Sequence, residues 1–142
     1  MKNTIYVFLF IPFLFYSCSK NSDSDGNEPE TITDVDGNLY QTVEIGNQVW
    51  TSKNLNTSKY SDGTPIPQAD DLSELTGFNI GAWCYYDNDP ENEEIYGKLY
   101  NWYAVAGIYD AASLANPTLR KSLAADGWHV PTENEWVTLI NY

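Results

Sequence analysis

The chain has 142 residues, which is room for one domain of moderate size. Twenty acidic residues against seven basic ones give a net charge of -13, so nucleic acids and anionic lipid headgroups are excluded as favoured partners on electrostatic grounds. Aromatic residues make up 15% of the chain, a fraction typical of small secreted or surface domains that pack and bind through rings. Cations, sugars and proteins remain as classes of ligand.

Residues 1–17 have the composition of a signal peptide. Lys2 precedes an apolar run from Ile5 to Tyr16, which is shorter than the roughly 20 residues that a membrane-spanning helix needs. The run ends at Ser17, a small residue directly before Cys18, and this pair resembles a bacterial lipoprotein processing site. We predict that Cys18 is lipidated; ordinary signal cleavage that leaves a free thiol is the alternative.

Residues 19–30 are polar and acidic and contain no large apolar side chain, so they bury too little surface to offset the entropy lost on ordering. We predict an acidic flexible tether over residues 18–33. Acidic residues just behind a lipidated cysteine also resemble the surface-export signals of Bacteroidota lipoproteins. This resemblance implies attachment to the outer membrane, facing outwards, with the periplasmic face or secretion as alternatives. Labelling of intact cells with an impermeant reagent tests the prediction, and protection of the protein would contradict it.

A β-hairpin is predicted near the start of the globular part. The β-rich runs Leu39–Ile45 and Gln48–Thr51 flank a two-residue Gly-Asn turn at residues 46–47. Counting outward from the turn pairs Val43 with Trp50 on one face of the hairpin. We expect this pair to be a core contact.

The segments on either side of the hairpin are predicted to be irregular. Residues 34–38 alternate carboxylates with a glycine, but the later ligands of a calcium loop are missing, so they are interpreted as a tight turn. Residues 54–81 are rich in Asp, Ser, Thr, Pro and Gly and predict a long surface excursion. We place one domain over residues 34–142.

A short aromatic strand over Ala82–Tyr86 is predicted to lead into a strongly acidic loop. Clustered carboxylates in that loop are oxygen ligands of the kind that Ca²⁺ prefers, although such runs are more often solvated. The candidate ligands are Asp87, Asp89 and Glu91, with Glu93 and Glu94 close behind. No cofactor is expected from the sequence, and calcium held by this loop is the alternative.

Two further segments follow the acidic loop. Apolar residues recur at three- and four-residue spacing from Leu99 to Ala106, which predicts a short helix ended by Gly107. An alternating strand over the same residues is the alternative. Residues 108–126 are interpreted as an inserted excursion with a turn or two of helix around Pro117.

The block GWHVPTENEW, residues 127–136, predicts the start of a helix. Thr132 and Glu135 have the spacing of a capping box, in which each side chain bonds the other residue's backbone amide. Trp136, Leu139 and Ile140 then form a stripe at helical spacing that we expect to face the core.

His129 is the only histidine of the chain, and we interpret it as structural. A zinc site needs three or four ligands, and carboxylates would have to complete it here. No nucleophile motif accompanies the histidine, so we name no catalytic residue. The residues with predicted structural roles are Trp50, His129, Thr132, Glu135 and Trp136.

Four blocks of the sequence, in order, resemble the Fibrobacter succinogenes major paralogous domain family, known as FISUMP. They are DVDGNLYQTVEIGNQVWTSKNL, SDGTPIP, YGKLYNWYAV and GWHVPTENEW, and the resemblance covers residues 34–142. It implies an α+β domain with a C-type-lectin-like fold, containing the N-terminal hairpin, long loops and two short helices. The last block is also similar to the LPTEAEW block of formylglycine-generating and sulfatase-modifying proteins, which share that fold.

The chain departs from the family pattern in two places. Family members often carry a cysteine shortly before the Gly-Trp-His block, where this chain has Ala-Ala-Asp at residues 124–126, so Cys84 is expected to be an unpaired, buried thiol. The family's domain continues for several strands beyond the point reached at Tyr142, so we expect a partial domain. In a partial domain, we expect the apolar faces of Val43, Trp50 and Trp136 to stay exposed to water.

The resemblance implies a surface-displayed binding or structural module whose ligand is a glycan or a protein. The rings that we single out for stacking on a ligand are those of Tyr85, Tyr86 and Trp102. An enzyme related to the formylglycine-generating proteins is the alternative. Its chemistry depends on reactive cysteines that this chain does not supply, so we expect no enzymatic activity.

Overall fold

The structure is a computed structural model, and it describes residues 30–142. The predictions for the signal peptide, for lipidation at Cys18 and for most of the tether lie outside the described residues. Within residues 30–142, no helix has both the length and the apolar composition needed to cross a membrane.

The domain opens with a three-stranded antiparallel sheet. Its strands are β1 (Thr31–Thr33), β2 (Leu39–Ile45) and β3 (Gln48–Thr51), in the order β1-β2-β3. The predicted hairpin and its register are confirmed, with Val43 opposite Trp50. The predicted tether is too long at its end, because Thr31–Thr33, three consecutive β-branched residues, form β1 and pair with β2.

The interpretation of residues 34–38 as a tight turn is confirmed. One oxygen of the Asp34 carboxylate accepts hydrogen bonds from the backbone amides of Asp36 and Asn38, both at 2.9 Å. Its other oxygen accepts a bond from the Tyr40 hydroxyl at 2.6 Å. Gly37 has a φ of +87°, which favours glycine at this point of the turn. Asp34 therefore joins β1 to β2 and is buried while it does so.

The prediction of a surface excursion over residues 54–81 is wrong. The segment contains helix α1 (Leu72–Gly77), and Asp71 caps it by accepting from the amide of Glu74 at 2.8 Å. It also sends four apolar side chains into the core, namely Tyr60, Ile66, Ala69 and Leu75. Turn-forming residues here fold the chain back on itself, as the bridge between Lys59 and Pro65 illustrates.

A second, two-stranded sheet pairs β4 (Trp83–Tyr85) with β5 (Lys98–Tyr100), so the predicted aromatic strand is confirmed. The acidic segment between them forms short 3₁₀ turns and helix α2 (Glu93–Tyr96). After β5 comes helix α3 (Trp102–Val105), capped by the side chain of Asn101. The strand interpretation is thus right for the first residues of the segment, which lie in β5, and the helix interpretation is right for Trp102–Val105.

The remaining elements are helical. Helix α4 (Ala111–Ala115) is followed by a 3₁₀ turn at Pro117–Leu119, as predicted around Pro117, and helix α5 (Glu133–Ile140) closes the described chain. The class is α+β, with five α-helices in residues 30–142 where two short ones were expected. Gly107 has a φ of +73° and follows Ala106, the C-cap residue of α3, which is the usual position of a helix-ending glycine.

The core consists of two small clusters around the second sheet. One contains Tyr60, Ile66, Trp83, Ala104 and Leu123, and the other contains Ala69, Leu75, Ala82 and Cys84. Residues 108–126 contribute Leu123 and the fully buried Ile108 to the interior. They are therefore an integral part of the domain rather than an excursion from it.

Candidate binding groove

A groove with a volume of about 900 Å³ runs beside β3. All nine consecutive residues of the segment 47–55 line it, so the whole of β3 borders the groove. The facing walls are formed by residues 123–125, by residues 127–131 and by the first turns of α5. We refer to it below as the β3 groove.

Two tryptophans meet at the wall of the β3 groove. The rings of Trp50 and Trp136 lie with centroids 5.0 Å apart and are tilted by 48°. The Trp50 ring nitrogen donates to the Gln48 side-chain oxygen at 3.3 Å, and the Gln48 amide donates to the backbone oxygen of Glu135 at 3.2 Å. These contacts fasten the hairpin to α5, which fits the structural roles predicted for Trp50 and Trp136.

The expectation that the stripe on α5 faces the core is wrong. Trp136 is 49% exposed and Ile140 is 78% exposed, and no residue of α5 is buried. Val43 is also exposed, so its pairing with Trp50 is not a core contact. Val43 and Trp136 are thus exposed, as expected for a partial domain, whereas Trp50 is half-buried because Trp136 packs on it.

The predicted capping box at the start of α5 is confirmed. The Glu135 carboxylate accepts from the Thr132 amide at 2.7 Å, and the Thr132 hydroxyl oxygen accepts from the Glu135 amide at 3.4 Å. The second carboxylate oxygen lies 2.7 Å from Nε2 of His129. His129 is thus tied to the cap that orients α5, at the edge of the β3 groove.

Glu135 makes the cap sensitive to pH. The hydrogen bonds from Thr132, first from its backbone amide and then from its hydroxyl, together with His129, lower the pKa of Glu135 from 4.5 to about 2. A lowered folded-state pKa means that the cap contributes its full stability above pH 4.5 and loses it as the pH falls towards 2.

We therefore expect the difference in free energy of unfolding between the wild-type protein and a Glu135→Gln variant to be constant above about pH 5 and to narrow below it. Urea unfolding of both proteins at several pH values measures this difference. Glu133→Gln, in the same helical turn, is the matched control and should show no such narrowing. If the difference in free energy of unfolding between the wild-type protein and Glu135→Gln stayed constant down to pH 2, Glu135 would not act as the ionised cap of α5.

The three rings predicted to stack on a ligand do not form one surface. Tyr85 packs edge-on against Trp83 with centroids 5.2 Å apart and belongs to the core margin. Tyr86 is exposed and lies against Tyr96 at 4.7 Å. Trp102 is 63% exposed and contacts a different tyrosine, Tyr103. Sequence reasoning missed the β3 groove because its tryptophans fit the pattern of core residues.

The acidic loop does not assemble a metal site. Asp89 accepts a hydrogen bond from the amide of Glu91 at 2.9 Å, so it serves as a cap within the loop. Among the residues that the structure describes, no three His, Cys, Asp or Glu side chains converge on one point. The calcium alternative at Asp87, Asp89 and Glu91 therefore gains no support from the described residues.

Lys98 forms a buried polar centre that the sequence did not indicate. Its ammonium group donates to the Glu93 carboxylate at 2.7 Å and to two oxygens of Asn56 at 2.8 and 3.0 Å. It also lies 4.8 Å from the centroid of the Trp83 ring. Lys98 lowers the pKa of Glu93, and its own side chain is only 7% exposed. Because its protons already have partners, we assign Lys98 a structural role.

Cys84 is a free, buried thiol in the described part of the chain, as expected. Burial raises the pKa of this thiol, which disfavours the reactive thiolate form. It lies in the core cluster with Ala69, Leu75 and Ala82, not in the β3 groove.

The model of the Fibrobacter succinogenes major domain matches residues 43–142, well over half of the chain. The chain belongs to this family. Comparison with curated proteins and with solved structures found no match. The match to the Fibrobacter succinogenes major domain begins within β2 and includes β3 and α5. These two elements carry Trp50 and Trp136, the tryptophan pair of the β3 groove.

Proposed function

We propose that this Fibrobacter succinogenes major domain is a binding module that receives a glycan or a protein in the β3 groove. The contact between Trp50 and the half-exposed Trp136 is the observation that supports the proposal. Tryptophan presents a large rigid surface at low entropic cost, and concave sites commonly combine such rings with a few polar groups. Here Gln48 and His129 supply polar groups on the same groove.

The proposal also covers the cellular location and the fold of the protein. The apolar segment before Cys18 supports a lipid anchor in the outer membrane, with the domain displayed on the cell surface. The four blocks that resemble the family support a C-type-lectin-like fold. The alternative function, an enzyme related to the formylglycine-generating proteins, would need a reactive cysteine at the groove, whereas Cys84 is buried in the core.

Replacement of Trp136 by alanine is expected to weaken binding of a groove ligand by about 30-fold, the usual loss for a central aromatic anchor. The ligand is first selected by exposing the full chain, in mild detergent, to an array of glycans and peptides. Affinity of the selected ligand for the variant is then measured by fluorescence anisotropy.

Trp102→Ala is the matched control, since Trp102 is at least as exposed as Trp136 but does not line the β3 groove. It should leave the affinity unchanged. If Trp102→Ala abolished binding and Trp136→Ala did not, the site would lie at Trp102, one of the three rings predicted from sequence, and not in the β3 groove. If none of the arrayed compounds bound to the protein, the proposed function would be contradicted.

A further inference from the structure

Lys98, Asn56 and Glu93 contact one another beside the second sheet, and we call these three residues the Lys98 centre. The Lys98 ammonium group donates to the Glu93 carboxylate at 2.7 Å and to the Asn56 side-chain oxygen at 3.0 Å. The pKa of Glu93 is lowered first by Lys98 and further by a hydrogen bond from the Asn56 side chain. The carboxylate therefore contacts both side-chain nitrogen atoms of the centre.

The three side chains have complementary chemistry. A lysine amine is a nucleophile once it has lost a proton, and a carboxylate can accept that proton and pass it on. The side chain of Asn56 is an amide, whose carbonyl carbon can be attacked and whose nitrogen can leave. The Lys98 centre thus contains every group needed to move an acyl group from the nitrogen of asparagine to that of lysine.

The reacting atoms are already close together. An amide oxygen lies about 1.2 Å from its carbon, so Cγ of Asn56 is within about 4.2 Å of Nζ of Lys98. A shift of less than about 1 Å brings the two atoms to the separation of a near-attack arrangement. The backbone of Asn56 is held on both sides, because its amide donates to the Tyr40 hydroxyl oxygen at 2.9 Å and its carbonyl accepts from Asn38 at 3.2 Å. Folding has therefore already brought the nucleophile to its target.

Aromatic rings enclose the amine of the Lys98 centre. Nζ of Lys98 lies 4.8 Å from the centroid of the Trp83 ring and 5.9 Å from that of Tyr85, and the lysine side chain is only 7% exposed. Burial disfavours charged forms, so it favours transfer of a proton from Lys98 to Glu93, which leaves a neutral amine and a carboxylic acid. Glu93 is a third exposed and gives a small leaving group a path to solvent.

We propose that the Lys98 centre forms an intramolecular isopeptide bond between Lys98 and Asn56. The neutral amine attacks Cγ of Asn56, so that the Nζ–Cγ bond forms and the Cγ–Nδ2 bond breaks. Glu93 carries two protons in turn from Nζ to Nδ2, which leaves as an ammonium ion, and the carboxylate is ionised again at the end. The step is neither an oxidation nor a reduction and needs no co-reactant.

The isopeptide bond links segments that are 42 positions apart in the chain. It encloses α1, β4 and α2 in one covalent loop. Cys84 is the only cysteine of residues 30–142 and is a free thiol, so no disulfide links distant segments there. The crosslink resists reducing agents, and it does not depend on what the β3 groove binds.

Intact-mass spectrometry of the full chain tests the bond, on freshly purified protein and after prolonged warm incubation of the folded protein. The mass should lie about 17 Da below the value calculated without the bond, a difference of one ammonia. In a tryptic digest, cleavage after Lys98 should be blocked and residues 54–59 should stay joined to residues 60–120. An asparagine that cyclises on its own backbone also loses ammonia, but it leaves cleavage after Lys98 intact.

Three variants test the assigned roles. Lys98→Arg keeps the positive charge but removes the nucleophilic amine, so it should keep the calculated mass. Glu93→Gln removes the proton carrier and should slow bond formation at least about 100-fold. Glu94→Gln is the matched control, since Glu94 is an exposed neighbour in the same helix, and it should crosslink like the wild-type protein. Circular dichroism shows whether each variant is folded.

A wild-type protein that keeps its calculated mass after incubation would overturn the proposal, whether or not the variants fold. A loss of ammonia that persists in Lys98→Arg would also overturn it, because the lost nitrogen would then come from another reaction. Equal rates in Glu93→Gln and Glu94→Gln would contradict proton transfer by Glu93.

Discussion

Replacement of Gly81 by alanine is expected to lower the free energy of unfolding by about 3 kcal/mol or more, the upper range for overpacking a core. A Cβ at this position would overlap the Tyr60 hydroxyl and come within 2.9 Å of the Ala104 Cα and 3.1 Å of the Ile108 carbonyl oxygen. Two of these obstacles are backbone atoms, which cannot swing aside. The amide of Gly81 also donates to Ile108 at 2.6 Å, so the segment cannot shift without losing that bond.

Urea unfolding followed by tryptophan fluorescence measures the loss, with Gly77→Ala as the matched control. A Cβ on Gly77 would meet nothing within 4 Å, and the residue ends helix α1, where alanine is well tolerated. The control should unfold at nearly the wild-type urea concentration. Equal stability of the two variants would show that the packing around Tyr60 and Ala104 is looser than the structure has it.

Relative to protein that has not yet formed the isopeptide bond, replacement of Lys98 by methionine is expected to lower the free energy of unfolding by about 2 kcal/mol, the usual range for losing hydrogen bonds to a charged group, because Glu93 is a third exposed and water screens part of the loss. Methionine keeps the apolar length of the side chain but leaves the oxygens of Glu93 and Asn56 without their shared donor. It also removes the positive charge from the face of the Trp83 ring.

Lys53→Met is the control for this variant, because Lys53 is an exposed lysine on the rim of the β3 groove. Its change in free energy of unfolding should be within about 0.5 kcal/mol, as for most surface substitutions. A Lys98→Met variant that unfolds at the same urea concentration as Lys53→Met would show that the Lys98 centre contributes nothing to stability.

Local patterns in the sequence determined the elements whose geometry depends on close neighbours. A two-residue Gly-Asn turn between β-rich runs sufficed for the register of β2 and β3. Thr132 and Glu135, three residues apart, sufficed for the start of α5. The four blocks also sufficed to predict the family, which the match over residues 43–142 bears out.

Burial and the groove were decided only by tertiary structure. The Tyr60 hydroxyl donates to the carbonyl of Ile108, 48 positions away, and Lys98 donates to Asn56 across 42 positions, so the turn-rich composition around them gave no sign of a core. The apolar stripe of α5 has the same spacing whether it is covered or exposed, and only the packing of α5 against β3 leaves Trp136 open to solvent. Periodicity fixes which side chains share a face, whereas contacts between distant segments determine what that face meets.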